Sequence, residues 1–304
     1  MSDTMVRAVL SPIFKEKGEP SDPAMYRPIS VTTTAYRIFA KCIAQRLNIA
    51  VKYLISDSQV GYSPGRTLDE NVLLIRQLIH DINHHRPHDG GMVLMLDNTK
   101  AFDRLQHSFM YRTLDAFGLP SSLIAAVRTL YADASVSVKL NGQIGPAFAV
   151  SSGVKQGCPL SGLLYVLVQE VQMHMIRMND DIQGISIPDA DGRIPDPTAQ
   201  QQDAHHPHQT VKERGLVDDV AVAVATPQSI PPLLDTLDRF EAMSNHRMQI
   251  SKTVLVLLGH CRSFDIQGNT QAATRLRQRE LFQAHDVIDG PPAQLPLRCR
   301  LEFA

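Results

Sequence analysis

Three carboxylates in two separated stretches carry the strongest chemical signal in this chain. Asp97 stands in Leu96-Asp97-Asn98-Thr99-Lys100-Ala101-Phe102-Asp103, and the pair Asp218-Asp219 in Leu216-Val217-Asp218-Asp219-Val220. Each lies at the end of a short apolar run that reads as a strand, Met92 to Leu96 in one case and Val220 to Val224 in the other. If those strands are neighbours, three anions crowd one spot and repel unless cations sit between them. A pair of divalent ions resolves that repulsion and supports in-line attack on a phosphoryl group.

The elements that must position these acids are readable from periodicity and breakers. Apolar residues recur at helical spacing from Ala35 to Leu54 and from Leu68 to His84, with Gln59-Val60-Gly61-Tyr62-Ser63-Pro64-Gly65-Arg66 as an irregular connection between them. Further helices are predicted from His107 to Phe117, Ser121 to Tyr131, Leu160 to Met178 and Ile230 to Met243. Val136 to Leu140 followed by Asn141-Gly142 reads as a hairpin, because Asn-Gly accepts the positive φ of a type I′ turn. The Asp218-Asp219 unit reads as strand, two acids, strand, with the acids at the tip. A last apolar strand runs from Val254 to Leu258. Residues 187–214 lack periodicity and read as an irregular insertion, and no core element can be placed after Gly259.

Bulk properties set limits on function. The chain has 304 residues, 43% apolar and 20% charged, enough for a sizeable core and ordinary for a globular protein. Net charge is −1, but residues 1–66 hold nine Lys/Arg against five Asp/Glu. A basic N-terminal part facing an acidic centre suits a protein that grips phosphates and places metals near them. Cys42, Cys158, Cys261 and Cys299 are scattered without a Cys-x-x-Cys pair, which argues against a zinc site or disulfide framework and fits a reducing compartment. No run approaches a membrane span and no signal-peptide core is evident. The expectation is an intracellular protein, cytoplasmic or nuclear, with no membrane partner and an unknown oligomeric state. His205, His206 and His208, with Asp203 nearby, lie outside any zinc-type spacing and read as a His-rich loop.

Six blocks occur in a telling order: Tyr26-Arg27-Pro28-Ile29-Ser30, Gly61 to Arg66, Leu96 to Arg104, Gly153-Val154-Lys155-Gln156-Gly157-Cys158-Pro159-Leu160-Ser161, Asp218-Asp219 and Ser251-Lys252-Thr253. Together they resemble the reverse transcriptase domain of non-LTR (LINE-type) retrotransposons over about residues 6–259. The resemblance implies an α+β right-hand polymerase fold, with fingers and an antiparallel palm sheet backed by helices. It divides the chain into a fingers-like part (1–92), a palm with the irregular insertion (93–259) and a poorly defined tail (260–304), the thumb missing or vestigial.

The same resemblance assigns roles. Asp97, Asp218 and, as a supporting ligand, Asp219 would hold two Mg²⁺ ions, for which Mn²⁺ can substitute. Asp103 reads instead as a helix N-terminal acid or a local ion-pair partner. Phe102 would lie under the sugar of an incoming dNTP and exclude a 2′-hydroxyl. Gln156 and Gly157 match the loop that contacts the nucleotide and template, Gly157 allowing close backbone approach. Arg27 matches an arginine against the triphosphate, joined by Lys15 or Lys17. Lys41, Arg46 and Arg66 are candidate contacts to the backbones of an RNA template and DNA primer. Lys252 matches a lysine that would protonate departing pyrophosphate.

Some positions depart from the family pattern. Leu216-Val217 replaces the usual aromatic and small pair before the acids, and Gln249 replaces an Asn. The implied activity is RNA-directed DNA synthesis. Its alternatives are a truncated or decayed element copy without catalysis, or another palm polymerase such as an RNA-templated RNA polymerase or intron maturase.

Overall fold

The computed structural model describes residues 6–63, 65–188, 210–249, 252–265 and 267–278. Strand β1 (Ala8–Phe14) pairs antiparallel with β2 (Tyr26–Thr32), from Ala8 opposite Thr32 to Phe14 opposite Tyr26. Helix α1 (Thr34–Leu54) is capped by Thr33, whose hydroxyl accepts from the Tyr36 amide at 3.3 Å. It buries Ile43, Leu47 and Val51, spaced four residues apart on one face. Helix α2 (Leu68–His84) buries Ile75, Leu78, Ile79 and Ile82 in the same way.

Strand β3 (Gly90–Leu96) follows, then the one-turn helix α3 (Ala101–Arg104), α4 (His107–Ala116) and α5 (Ser121–Tyr131). Strands β4 (Ser135–Leu140) and β5 (Gln143–Ala149) form the expected hairpin, with Asn141 at φ 50° and Gly142 at φ 82°. Helix α6 (Ser161–Arg177) is buried on nearly every side, as a helix at the centre of a layered fold must be. Short strands β6 (Ile185–Ser186) and β7 (Thr210–Val211) pair with each other. Strands β8 (Glu213–Leu216) and β9 (Asp219–Val224), helix α7 (Ile230–Ser244), strand β10 (Val254–Gly259) and helix α8 (Gln271–Gln278) complete the described elements.

The strands form two four-stranded sheets. The first has the order β2-β1-β4-β5, with a parallel β1/β4 pairing; the second, β10-β3-β9-β8, is antiparallel throughout. The first sheet draws on both sides of residue 92, because β4 returns to lie beside β1. Alternation along β3 divides the second sheet between two cores. Met92, Leu94 and Leu96 join Val220, Val222 and Val224 against α6, α7 and α8, whereas Val93 joins Ala223 and Val256 against α2.

Two sequence expectations need amending. The segment expected to be irregular up to residue 214 already contains the start of β8, whose Glu213–Leu216 ladder with β9 overrides a weak local pattern. After Gly259 a core element does exist: α8 seats Ala272, Ala273 and Leu276 against α7. Two alanines and one leucine are too sparse an apolar signal to stand out in sequence. The cluster of His205, His206, His208 and Asp203 lies outside the described residues. Cys42, Cys158 and Cys261 are free thiols, and no described helix is long and apolar enough to cross a membrane.

A buried ion knot joins three elements. Arg177 on α6 reaches Glu170 at 2.7 Å and Glu213 on β8 at 2.6 Å, while Ser56 and Ser58 donate to the same two carboxylates. A second buried polar group has a different character. His246 is 1% exposed, its ring lies against Phe240 and Tyr165, and neither ring nitrogen has a hydrogen-bond partner among the described residues. Burial, assisted by the Arg104 charge, pulls its pKa down to about 4. A folded-state pKa below the unfolded value means stability that is full above the unfolded pKa and lost as pH falls toward the folded one. Between pH 7.5 and pH 5 this residue should therefore remove about 2 kcal/mol of stability. Urea unfolding of wild type and His246→Leu at the two pH values checks this. The variant should lose about 2 kcal/mol less than wild type over that interval; equal losses would show that His246 is not the group responsible.

Candidate active site

The register of the second sheet decides where the acids go. Leu96 on β3 lies opposite Val220 on β9, so Asp97 leaves the end of β3 on the side where Asp219 opens β9, and Asp97, Asp218 and Asp219 all act electrostatically on the Tyr165 phenol. Leu216 pairs with Asp219, which makes Val217-Asp218 the two-residue turn. The hairpin tip thus falls one residue earlier than the sequence implied: Asp218 is in the turn, and Asp219 opens β9. The Asn98 side-chain amide donates to the Asp218 carbonyl at 3.1 Å and ties the two acidic segments together.

The other flank of Asp97 is held by the segment after α7. The Gln249 amide donates to the Asp97 carbonyl at 2.6 Å, and the Thr99 amide to the Arg247 carbonyl at 2.7 Å. The Thr99 hydroxyl donates to the Gln249 side chain at 3.0 Å, so the Gln that replaces the family's Asn is used to brace this strand end. Lys252 places its Nζ 3.8 Å from Oδ2 of Asp97 while remaining half exposed. Asp97, Asp218, Asp219 and Lys252 are therefore brought to one place by the fold.

Tyr165 lies beneath them on α6 and was not singled out by sequence reasoning. It is fully buried, and its hydroxyl donates to Oε1 of Gln169 at 3.3 Å. Burial raises its pKa well above the ordinary tyrosine value, and the charges of Asp218, Asp219 and Asp97 push it further, against a hydrogen bond with Asn98. The phenol stays protonated among carboxylates. Phe102 stacks on the same ring, with centroids 4.6 Å apart and planes 13° from parallel. Nothing local in the sequence signals this contact, because the two rings come from separate helices.

A second group of expected residues converges beside Phe102. Gln156 donates from its side chain to Asp103 at 3.1 Å, and its carbonyl accepts from the Ser30 amide of β2 at 2.7 Å. Gly157 has φ 102°, and an added Cβ would lie 3.1 Å from the Ser30 carbonyl, so the loop needs glycine where it abuts β2. Burial raises the Asp103 pKa, opposed by the Gln156 hydrogen bond and by the charges of Lys100 and Lys15. The Nζ of Lys15 itself donates to the Ala24 carbonyl at 2.8 Å. Arg27 projects from an exposed position on β2, across from Ile13.

Lys155, in the same loop, is a further residue that sequence reasoning missed. It turns inward to donate to the carbonyls of Val6 at 3.0 Å and Leu130 at 3.3 Å, with its charge over the Tyr36 ring at 4.2 Å. Burial brings its pKa down to about 8. It anchors the loop rather than facing a ligand.

Arg27 has no described contact with either group, and the remaining basic candidates likewise stand apart. Lys17, Lys41 and Arg46 are exposed. Arg66 is turned inward: it donates to the carbonyls of Ser56 and Gln59 and pairs with Asp57 at 2.7 Å, which makes it a brace for its own loop.

The donors at the acidic site are all carboxylate oxygens, which suits a hard cation such as Mg²⁺ or Mn²⁺. Among the described residues no three His, Cys, Asp or Glu side chains form a cage by themselves.

Comparison with known proteins fits this geometry. Residues 14–280 match the family described as reverse transcriptase (RNA-dependent DNA polymerase). This chain belongs to the reverse transcriptase family. Its relatives include the transposon TX1 uncharacterized 149 kDa protein of Xenopus laevis, 37% identical over 62% of this chain and 14% of that protein. Another is the Pol polyprotein of the type-2 retrotransposable element R2DM of Drosophila melanogaster, 31% identical over 55% of this chain and 15% of that protein. The chain thus spans about a seventh of the length of these non-LTR relatives. Among solved structures, telomerase from Candida tropicalis with a fragment of telomeric RNA aligns over 84% of this chain and 42% of that one. Its TM-score is 0.58 at 13% identity, a likeness of the fingers-and-palm fold.

Within this reverse transcriptase fold the Phe102–Tyr165 stack is a testable unit. A double-mutant cycle of Phe102→Leu and Tyr165→Leu in urea unfolding should give a coupling energy of about 1 kcal/mol. Strict additivity would mean that Tyr165 does not support Phe102.

Proposed function

We propose that this reverse transcriptase domain is an RNA-directed DNA polymerase that extends a DNA primer on an RNA template with dNTPs. The observation that supports the reading is the Leu96–Val220 register, which brings the strand end before Asp97 to the start of β9 at Asp219, in a chain of this family. Asp97, Asp218 and Asp219 would hold two Mg²⁺ ions, or Mn²⁺ in their stead. Bound there, the metal supplies charge neutralisation on phosphoryl oxygens and acidifies the attacking 3′-hydroxyl.

The protein's own side chains do the positioning. Gln156 and Gly157, fixed against β2, form the wall that meets the incoming nucleotide, with Lys15 and Arg27 offering charge to its triphosphate. Phe102, held flat on Tyr165, presents its ring to the sugar and excludes a 2′-hydroxyl. Lys252 lies against Asp97 and is placed to give a proton to the departing pyrophosphate. Lys41 and Arg46, and Lys17 on its loop, are exposed cations for the phosphate backbone of template and primer. Arg66 would act on them only through the loop that it braces.

The direct test is dTTP incorporation on poly(rA)/oligo(dT) with Mg²⁺ or Mn²⁺. Wild type should incorporate, and Asp97→Ala and Asp218→Ala should fall to background with unchanged circular dichroism. Equal incorporation by all three would sink the mechanism, and a folded but inert wild type would favour the decayed-copy alternative. Phe102→Ala should lower discrimination against rNTPs by about tenfold or more. Unchanged selectivity would remove the gate role.

A further inference from the structure

Residues 58–61 run along β8 like an extra strand end. The Gly215 amide donates to the Ser58 carbonyl at 2.9 Å, the Val60 amide donates to the Gly215 carbonyl at 3.0 Å, and Gln59 bridges Gly215 in parallel register. Two residues further along the hairpin, a side chain takes over from the backbone. Oε1 of Gln59 accepts from the Val217 amide at 3.0 Å and from the Gly61 amide at 2.9 Å, while Nε2 donates toward the Val217 carbonyl at 3.5 Å. The carboxamide thus serves as a substitute peptide group for Val217, and Gln59 is 0% exposed.

Val217 needs such a partner. Its φ is +59°, the left-handed region that a β-branched residue avoids because its two γ-carbons crowd the backbone. Such strain persists only where surrounding contacts over-determine the conformation. The residue that follows is Asp218, and the next is Asp219. The fit is tight from below as well: a Cβ on Gly61 would lie 2.6 Å from both Cγ2 and the amide nitrogen of Val217. Glycine at 61 is what lets the Gln59 turn approach the strained residue this closely.

We propose that Gln59 is a positioning residue for the paired acids. Its amide holds Val217 in the left-handed conformation and so fixes the direction in which the Asp218 and Asp219 carboxylates leave the turn. It touches neither nucleotide nor primer. The role is that of an outer-shell partner, whose loss from a metal site typically weakens metal affinity by about 10- to 100-fold. The metal part of this inference rests on the proposed polymerase reading; the conformational part does not.

The experiment uses wild type, Gln59→Leu, Val217→Gly and the Gln59→Leu/Val217→Gly double variant, with two readouts. Hydrogen-exchange mass spectrometry over residues 213–222 reports the Val217 amide without any metal. Mn²⁺ titration followed by electron paramagnetic resonance reports the site, with Asp218→Ala as the reference for specific binding. Gln59→Leu should lose protection in that peptide while the β3 and β10 peptides stay protected, and should weaken Mn²⁺ binding by about tenfold or more. Glycine at 217 adopts positive φ without help, so the double variant should recover most of the lost Mn²⁺ affinity. Wild-type exchange or wild-type Mn²⁺ affinity in Gln59→Leu would overturn the proposal, as would failure of the folded double variant to recover. If Gln59→Leu alone does not fold, the double variant decides by the same measurement. A wild type that shows no Asp218-dependent Mn²⁺ binding, yet protects the 213–222 peptide in a Gln59-dependent way, would overturn the polymerase reading and leave the conformational role standing.

Discussion

Aspartates gathered where neighbouring strands end are an unfavourable group. Like charges close together in a sheet are destabilising, and Asp97, Asp218 and Asp219 all press on the Tyr165 phenol from the ends of β3 and β9. The rest of the domain can be understood as what makes that arrangement tolerable. Hydrophobic registration supplies the force that imposes it: Met92, Leu94 and Leu96 pack with Val220, Val222 and Val224, and their burial aligns the strands whatever the acids prefer. The repulsion at the strand ends is offset locally by Lys252, and by the Asn98 amide that ties Asp218 to the β3 side. A conflict of this sort between local electrostatics and global packing is the mark of a site kept for chemistry.

Stiffness beneath the site comes from α6. Because it is buried on nearly every side, its residues serve several layers at once. Tyr165 stacks under Phe102 and feels the three carboxylates, and Met173 packs in the palm core. At its far end Arg177 ties the helix to β8 through Glu213. The aromatic floor, the acidic turn and the strand behind it are therefore carried by a single rod, so a shift in one is resisted by the others.

The loop around Gln156 is tied to the first sheet and to α5 by short polar contacts. The Ser30 amide binds the Gln156 carbonyl, and Lys155 in the same loop is drawn into a tyrosine-lined interior to cap the carbonyls of Val6 and Leu130. A buried lysine that donates to carbonyls is costly to desolvate, and here that cost fixes a loop whose neighbour Gln156 is the polar group at the surface. Opposite roles for adjacent residues follow from a loop that has one side in the core and one partly exposed.

Much of the candidate site was legible in the sequence. Asp97, Asp218 and Lys252 stand in blocks whose order identifies the family, and the strands that carry them are short apolar runs of the right length. Asn141-Gly142 specified its turn, and the amphipathic spacing of α1 and α2 gave their buried faces, because these are local properties that a few neighbouring residues settle. Other features depended on residues distant in sequence. Arg66 resembles an exposed phosphate contact until the fold turns it onto its own loop. Gln59 and Tyr165 carry no local sign that one meets Val217 and the other Phe102. Helix α8 and the strand Glu213–Leu216 have weak patterns that only a partner surface completes. Sequence by itself determined the chemical groups and the periodic elements, since charge, size and backbone preference belong to each residue. Tertiary structure alone decided which donors face inward, which rings stack and which backbone strain is held, since those energies exist only once distant segments touch.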